Sequence, residues 1–398
     1  MSDELPLYAD EVSVNAQSIV DLITPQTVGF AKFLSANDTG ETGGHQSGFL
    51  VTREAGPVLL PLDHTIWIDK SRISIQWLHA NQTTDSMATW YTSKQEFRIT
   101  GGINKVIATS MTGDLLIMVR VEADSYVATC LGTEADINYA RDSLSLSPTA
   151  TDQLVRLELP EPSTEEEMDE DAVFAGYTEG LTDFPETLEV SRRAREFYAA
   201  LSGVPGEVTS DPDKTLLAWV DAEYRLFRFI EQSLIFPRIS EGFESVDDFV
   251  KLANSVKNRR AARAGASLEN HTAEVLNGSR IMFTPQARTE LNKIPDFLFP
   301  DQDAYHDEAF PSEKLAMLAV KTTCKDRWRQ VESEADRIGT KHLLTLQKGI
   351  SANQMKEMQS AHIQLVVPKP YIDKYPRECR PLIWTVKQFV EFARSLEH

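Results

Sequence analysis

The sequence predicts a chain in two parts, an all-β N-terminal region followed by a C-terminal α/β layer. Three observations carry this reading. Up to about residue 160, short apolar or alternating runs recur between polar and glycine-containing turns, as in Gly48-Phe49-Leu50-Val51, Ile73-Ser74-Ile75-Gln76-Trp77-Leu78 and Leu115-Leu116-Ile117-Met118-Val119-Arg120-Val121. Many short strands at this spacing favour a barrel or sandwich. Beyond residue 294, strand-like runs at 315–321, 342–346 and 363–367 alternate with helical stretches, the pattern of a largely buried sheet. Between the two lies an acidic run at 161–171, with Glu165-Glu166-Glu167 and Asp169-Glu170-Asp171 and no compensating base, which reads as a solvated linker. The expected division is therefore 1–160, an acidic linker at 161–180, and 181–398.

In the first part, the loop at 37–48 holds Gly40, Gly43, Gly44 and Gly48. Its backbone can approach a partner closely, and Asn37, His45 and Gln46 offer polar groups. An ordinary hairpin loop fits the same residues. His64 and His79 flank strand-like runs and read as structural, and residues 93–100 carry Lys94 and Arg98. In the middle of the chain, helices are expected over 190–201, 215–232 and 246–274, the last with a basic patch of Lys257, Arg259, Arg260 and Arg263. That patch suits a solvated face, a dimer contact or a phosphate grip.

Composition narrows the class. The 398 residues carry 40 Lys and Arg against 60 Asp and Glu, a formal charge of −20. This argues against a globally basic nucleic-acid binder but leaves room for a local basic cleft. Cys130, Cys324 and Cys379 show no metal spacing and suit a reducing cytoplasm. The N-terminus lacks a signal core, and no run approaches the roughly 20 apolar residues of a membrane span. A soluble cytoplasmic protein is expected.

The chemistry concentrates at 295–334. An acid in a short apolar segment, Pro295-Asp296-Phe297-Leu298-Phe299-Pro300, precedes an apolar strand ending in Lys321. This suggests the nuclease arrangement PD-(D/E)xK, in which carboxylates hold magnesium against a phosphate and lysine orients or activates water. The usual acid two residues before the lysine is replaced by Ala319. Glu334 can substitute if a helix after the strand carries residues 327, 331 and 334 on one face and packs back on it. A turn at Pro295-Asp296 with a strand-end charge at Lys321 fits the spacing equally.

The run Ala319-Val320-Lys321-Thr322-Thr323-Cys324-Lys325-Asp326-Arg327-Trp328-Arg329-Gln330 closely resembles the EcoRII-type (type IIE) restriction endonucleases. So do Pro295–Pro300 as written above, Ala253-Asn254-Ser255-Val256, Asn258-Arg259-Arg260, Arg263-Ala264-Gly265 and Ser267-Leu268-Glu269. Leu34-Ser35-Ala36-Asn37-Asp38-Thr39-Gly40 and Thr42-Gly43-Gly44-His45-Gln46 resemble the effector-binding domain of that family. The resemblance implies an N-terminal DNA-binding β-pseudobarrel, a C-terminal restriction-endonuclease-like catalytic domain, and relocation of the second acid to the position of Glu334. It implies magnesium at Asp296 and Glu334, with Glu269 beside them, and Lys321 as the catalytic base-side lysine. Lys325, Asp326 and Arg327 would read CC:GG halves, and Tyr224 would stack on a flipped central base. Lys32, Asn37, His45, Gln46, Lys94 and Arg98 would bind an effector duplex. The arginine that the family carries four residues before its tyrosine is Val220 here, and the arm at 93–100 is shortened. A palindromic target implies a homodimer; no nucleotide cofactor and no membrane are expected. A non-catalytic DNA-binding regulator with a degenerate nuclease fold, or a mismatch or lesion repair nuclease, are the competing readings.

Overall fold

In the computed structural model, which describes residues 12–42, 48–156, 165–203, 210–325 and 327–397, Leu116 and Met118 enter one apolar core while their neighbours Leu115, Ile117 and Val119 enter another. That strand is buried on both faces, so its run is continuously apolar rather than alternating. It belongs to the first of two units, formed by Met1–Leu159, Gln347–Glu357 and Tyr371–Leu382. In chain order the unit holds α1 (Val14–Asp21), β1 (Val28–Phe33), β2 (Gly48–Val51), α2 (Gly56–Leu59), β3 (Ile68–Trp77) and β4 (Gln82–Tyr91). Then follow β5 (Glu96–Thr100), β6 (Leu115–Arg120), β7 (Ser125–Leu131), α3 (Glu134–Leu144) and β8 (Asp152–Val155). The eight strands run in the order β2-β5-β4-β3-β7-β6-β1-β8, antiparallel except for β3 beside β7. Phe30, Phe49, Trp77, Phe97 and Tyr126 fill one side, and α1 and α3 cover the other through Ile19, Ile137 and Ala140. Gly56 lies flush on the Phe97 ring, where a Cβ would stand 2.1 Å from a ring carbon; no larger residue fits without moving that core ring.

Two segments from beyond residue 346 complete this unit, which the alternating C-terminal pattern did not foreshadow. The Gln347 amide donates to Gly113 O at 2.9 Å, and the Lys348 ammonium to Pro148 O at 2.7 Å. Ala352 N–H donates to Glu41 at 2.6 Å, and Tyr371 OH to Thr149 O at 2.6 Å.

The second unit comprises Pro160–Leu346, Met358–Pro370 and Ile383–His398. Its helices begin with α4 (Glu165–Thr178), α5 (Thr187–Ser202), α6 (Pro212–Glu241) and α7 (Val246–Gly278). Part of the stretch expected as an acidic linker is thus helical, and Phe174 of α4 is buried with Val190, Ala194, Leu226 and Ile230. The chain then alternates through β9 (Thr284–Pro285), β10 (Phe297–Phe299), α8 (Gln302–His306), β11 (Ala316–Lys321) and α9 (Trp328–Glu332). It continues with β12 (Lys341–Thr345), β13 (Ile363–Val366) and α11 (Val386–Ser395), while α10 (Ala352–Ser360) begins within the segment 347–357 of the first unit. The five strands lie in the order β13-β12-β11-β10-β9, with β11, β12 and β13 parallel and β10 antiparallel to β11. Asp213, near the start of α6, accepts from the N–H groups of Lys369, Val386 and Lys387 at 2.8, 2.9 and 3.1 Å. Its carboxylate thereby caps α11 and fixes the ends of the sheet layer. Among the described residues, no helix is long and apolar enough to cross a membrane.

Candidate active site

β10 and β11 pair with Phe297 opposite Leu318. One step further along this ladder, Asp296 comes opposite Ala319, the position the sequence left without an acid. The Asp296 Oδ2 accepts from Val320 N–H at 2.6 Å and from the Lys321 ammonium at 3.0 Å. A strand-edge amide and a strand-end lysine therefore aim the same carboxylate, and the turn alternative for Pro295-Asp296 gives way to an ion pair held by sheet register.

Two further carboxylates face this pair. Burial pushes Glu334 up to about 7, against the opposing pull of the Lys321 charge, with the Asp296 charge adding to the rise. Among the described residues, its buried Oε2 has no hydrogen-bond partner. Burial likewise raises Glu269 on α7, which feels Asp296 and Lys321 and accepts from the Gln286 amide at 2.9 Å. Asp296, Lys321, Glu334 and Glu269 are thus brought together electrostatically, from β10, β11, the segment after α9, and α7.

Among the described residues, no three His, Cys, Asp or Glu side chains form a group that could hold a metal ion alone. The donors present still fit magnesium. They are hard carboxylate oxygens, one of them buried and lacking a partner, and magnesium takes one or two carboxylates and completes its shell with water and phosphate oxygens.

The support for Glu334 differs from the expected helix. α9 ends at Glu332, Ser333 caps it, and Ala335 takes a φ of 49°, so residues 327, 331 and 334 do not share a helical face. The Lys293 ammonium takes the Ser333 carbonyl, which a continuing helix would need for itself. A buried tyrosine holds the segment from the other side. Tyr305 OH donates to Glu290 at 2.6 Å, and Glu290 accepts from Asp336 N–H at 3.2 Å. Lys293, Gln286, Glu290 and Tyr305 carried no signal of their own in the sequence, because their roles arise only when two loops meet.

The remaining expected residues are scattered. Arg327 is exposed and caps α9, Lys325 is half-buried, and Asp326 lies outside the described residues. Tyr224 is half-buried on α6, with the Arg263 guanidinium 5.3 Å from its ring centre. The basic patch on α7 is turned inward apart from Lys257. Arg263 is 5% exposed, Arg260 pairs with Glu231 at 2.5 Å, and Arg259 lies 3.8 Å over the Phe184 ring. In the first unit, His45 and Gln46 lie outside the described residues, Asn37 is exposed, and Lys94 is exposed at the turn between β4 and β5. Arg98 lies 3.5 Å from Glu96. Lys32 does not fit an effector contact: it is 8% exposed, donates to Leu50 O at 3.1 Å and pairs with Asp38 at 3.3 Å. Its place in the largely buried strand β1 draws the ammonium to internal acceptors. His79 is structural, as expected, bonding Val106 O at 2.9 Å; His64 is exposed.

Residues 227–390 match the family described as EcoRII C terminal, and residues 23–137 match that described as restriction endonuclease EcoRII, N-terminal. A curated relative, the type II restriction enzyme EcoRII of Escherichia coli, is 36% identical over 382 residues, covering 91% of this chain and 92% of its own length. The chain belongs to the EcoRII restriction endonuclease family. As a member of this family it is a type II site-specific deoxyribonuclease, built from an N-terminal β-pseudobarrel and a C-terminal restriction-endonuclease-like α/β domain. Among solved structures, a complex of the restriction endonuclease PspGI with substrate DNA has a TM-score of 0.45 and 14% identity, covering 54% of this chain and 95% of that one. Metal-depleted Ecl18kI with uncleaved, modified DNA has a TM-score of 0.44 and 17% identity, covering 57% and 84%.

Proposed function

We propose that this EcoRII-family enzyme hydrolyses duplex DNA with magnesium at a short palindrome of CC and GG halves, of the CCWGG or CCNGG kind. The observation that carries the catalytic part is the shared position of Asp296 and Lys321, 3.0 Å apart at the strand edge, with Glu334 holding a buried, unpartnered oxygen beside them. Asp296 and Glu334 are the magnesium ligands, with Glu269 at the margin of the site. When bound there, the ion supplies charge neutralisation at the phosphate and acidification of water. Lys321 holds the attacking water and offsets the negative charge that grows on the phosphate oxygens. In-line attack forms the new P–O bond as the P–O3′ bond breaks, leaving a 5′-phosphate and a 3′-hydroxyl.

Lys325, Asp326 and Arg327 read the half-sites. Arginine or lysine suits guanine O6 and N7, and aspartate accepts from cytosine N4. Tyr224 is the candidate platform for a flipped central base. Two copies related by a two-fold axis match the palindrome. Residues 1–160 bind a second DNA copy and regulate cleavage, with Asn37, His45, Gln46, Lys94 and Arg98 as candidate contacts and residues 161–180 joining them to the catalytic part.

Incubating plasmid with protein and magnesium, then sequencing the ends, tests the reading directly. Discrete fragments with CC and GG at the ends are expected. Intact plasmid would favour a non-catalytic regulator, and cutting confined to mismatched duplex a repair nuclease. For regulation, adding a second cognate duplex in trans should change the rate on single-site DNA; an unaltered rate rejects that part.

A further inference from the structure

α7 buries polar side chains at helical spacing. Arg263, Ser267 and His271 recur every four residues on one face, and all three are buried. Arg263 lies 5.1 Å from the Phe227 ring and His271 Nε2 stands 2.9 Å from Glu223 Oε2, so this face looks onto α6. The side chains of Glu223 and His271 are both 0% exposed; their contact is close but off the line of a full hydrogen bond. α5 closes the third side. The Arg195 guanidinium, which can only donate, stands 3.2 Å from His271 Nδ1, and the Asn270 amide donates to Ser191 Oγ at 3.0 Å. An acceptor at Nδ1 leaves the ring proton on Nε2, the nitrogen that faces Glu223.

Packing alone does not require such a bridge. Apolar side chains at 223 and 271 would fill the space without desolvating an ion, and buried ionic groups are often no more stabilising than apolar ones. Burial works against the Glu223 charge, yet His271, Ser191 and Arg263 together hold it below the ordinary carboxylate range. Burial lowers His271 and keeps its ring neutral. What directed contacts add over apolar ones is a single rotation and register of the helix that carries them. That rotation matters on the other side of α7. Successive residues turn by about 100°, so Glu269, two residues before His271, points to the roughly opposite side. There it accepts from the Gln286 amide and lies in the field of Asp296 and Lys321. A helix free to turn by a fraction of a residue would carry that carboxylate off the site.

We propose that His271 is a positioning residue: anchored by Glu223 of α6 and Arg195 of α5, it fixes the rotation of α7 that turns Glu269 toward Asp296 and Lys321. This rests on the place given to Glu269 in the magnesium site above and assigns what holds it there. His271 itself is sealed from DNA and from the reacting atoms.

The test uses the full chain carrying Glu223→Gln with His271→Leu, which removes the bridge without leaving a buried carboxylate behind. A crystal structure of this variant reads the geometry in the absence of any reaction. The Glu269–Gln286 contact should be lost, and its retention at 2.9 Å would overturn the proposal. Single-turnover cleavage with magnesium should slow by about tenfold or more, because a displaced group loses its alignment, while affinity for the cognate duplex is unchanged. His271→Gln, which can still offer an N–H to Glu223, should keep most of the wild-type rate; a loss as deep as that of the pair would overturn the bridge. In a Glu269→Gln background the paired substitution should cost little more, since the group it displaces is already gone. A merely structural role would slow both backgrounds by the same factor, and that result rejects the proposal. Should the pair not fold, Glu223→Gln alone, of the same shape, carries the same measurements. Loss of the Glu269–Gln286 contact in a protein whose wild type never cuts supports the positioning and overturns the proposed chemistry. Site-specific cutting by the wild type, with the contact intact in the variant, does the reverse.

Discussion

At the edge of β11, Glu334 keeps a buried carboxylate oxygen without a partner, and Glu269 and Asp296 lie within its field. In the N-terminal unit, Lys32 has the opposite circumstance: its ammonium reaches Leu50 O and Asp38 inside a buried strand, and Asp38 also accepts from Ser35 N–H at 2.9 Å. Both places gather charge away from water, where an uncompensated ion is costly. One neighbourhood is complete within the chain and the other is left short of positive charge. The difference teaches that burial of a charge does not by itself mark a working site; a deficit that the fold leaves open does.

The largest effects should follow from emptying the open site. Asp296→Ala and Lys321→Ala should each lower cleavage by about 10³-fold or more while sequence-specific binding survives, because they remove transition-state charge stabilisation rather than DNA contacts. Gel-shift and single-turnover assays on one duplex separate the two quantities. Retained cutting in either variant breaks the comparison at its stronger end. Glu334→Gln should lower cleavage by about 10²-fold and raise the magnesium concentration needed for half-maximal rate, read by titrating the ion. A fall in rate at unchanged magnesium requirement would make Glu334 a structural acid.

The two halves of that site were not equally legible. Asp296 and Lys321 could be found in the sequence because a strand end fixes where its last residue points, and the spacing of apolar runs marks strand ends. Glu334 was assigned the correct neighbourhood by way of a helix that does not exist there. A five-residue α9 followed by a left-handed Ala335 delivers it instead, held by Lys293 and by the Tyr305–Glu290 contact. Such support depends on two loops meeting in space, and no periodicity encodes that. The same limit hid the segments at 347–357 and 371–382, which follow a strand of one sheet yet fold with the other unit. Conversely, the basic run on α7 was conspicuous in the sequence, but Glu231 and the Phe184 ring engage Arg260 and Arg259.

Completing the comparison from the other side, Lys32→Met should destabilise the protein by about 3 kcal/mol, since it leaves Asp38 buried without its cation. Denaturant unfolding followed by the fluorescence of the N-terminal tryptophans reads this loss. A stability equal to wild type would mean that the Lys32–Asp38 pair is dispensable and its burial incidental.

His342 sharpens the point from within the catalytic unit. It is 2% exposed on β12, bonded through Nδ1 to Met317 O at 3.2 Å, and burial depresses it to about 4 from an ordinary 6.5. The unfolded chain therefore binds a proton at this residue below pH 6.5 that the folded chain refuses until about pH 4. The stability contributed by the neutral ring is fully present above 6.5 and lost as pH falls between these values, roughly 3 kcal/mol in all. Comparing unfolding free energies at pH 7 and pH 4, His342→Gln should show an acid loss smaller by about that amount, with cleavage at neutral pH retained. An unchanged acid limb would place the titration elsewhere.

The smallest effect expected is at Lys94, and it decides what kind of surface the N-terminal arm offers. Its side chain is 64% exposed and stands 4.0 Å from Glu96, a pair too solvated to contribute much stability. Lys94→Ala should leave the unfolding midpoint unchanged. If the arm grips an effector duplex, that substitution removes one phosphate contact, so the slope of log affinity against log salt for the second duplex should shrink by about 1. Lys32→Met, measured where it remains folded, should leave the slope alone, because a cation already bonded inside the chain releases no counterions from DNA. A slope altered by Lys32→Met and untouched by Lys94→Ala would invert the assignment and break the link between internal satisfaction of a charge and its absence from binding.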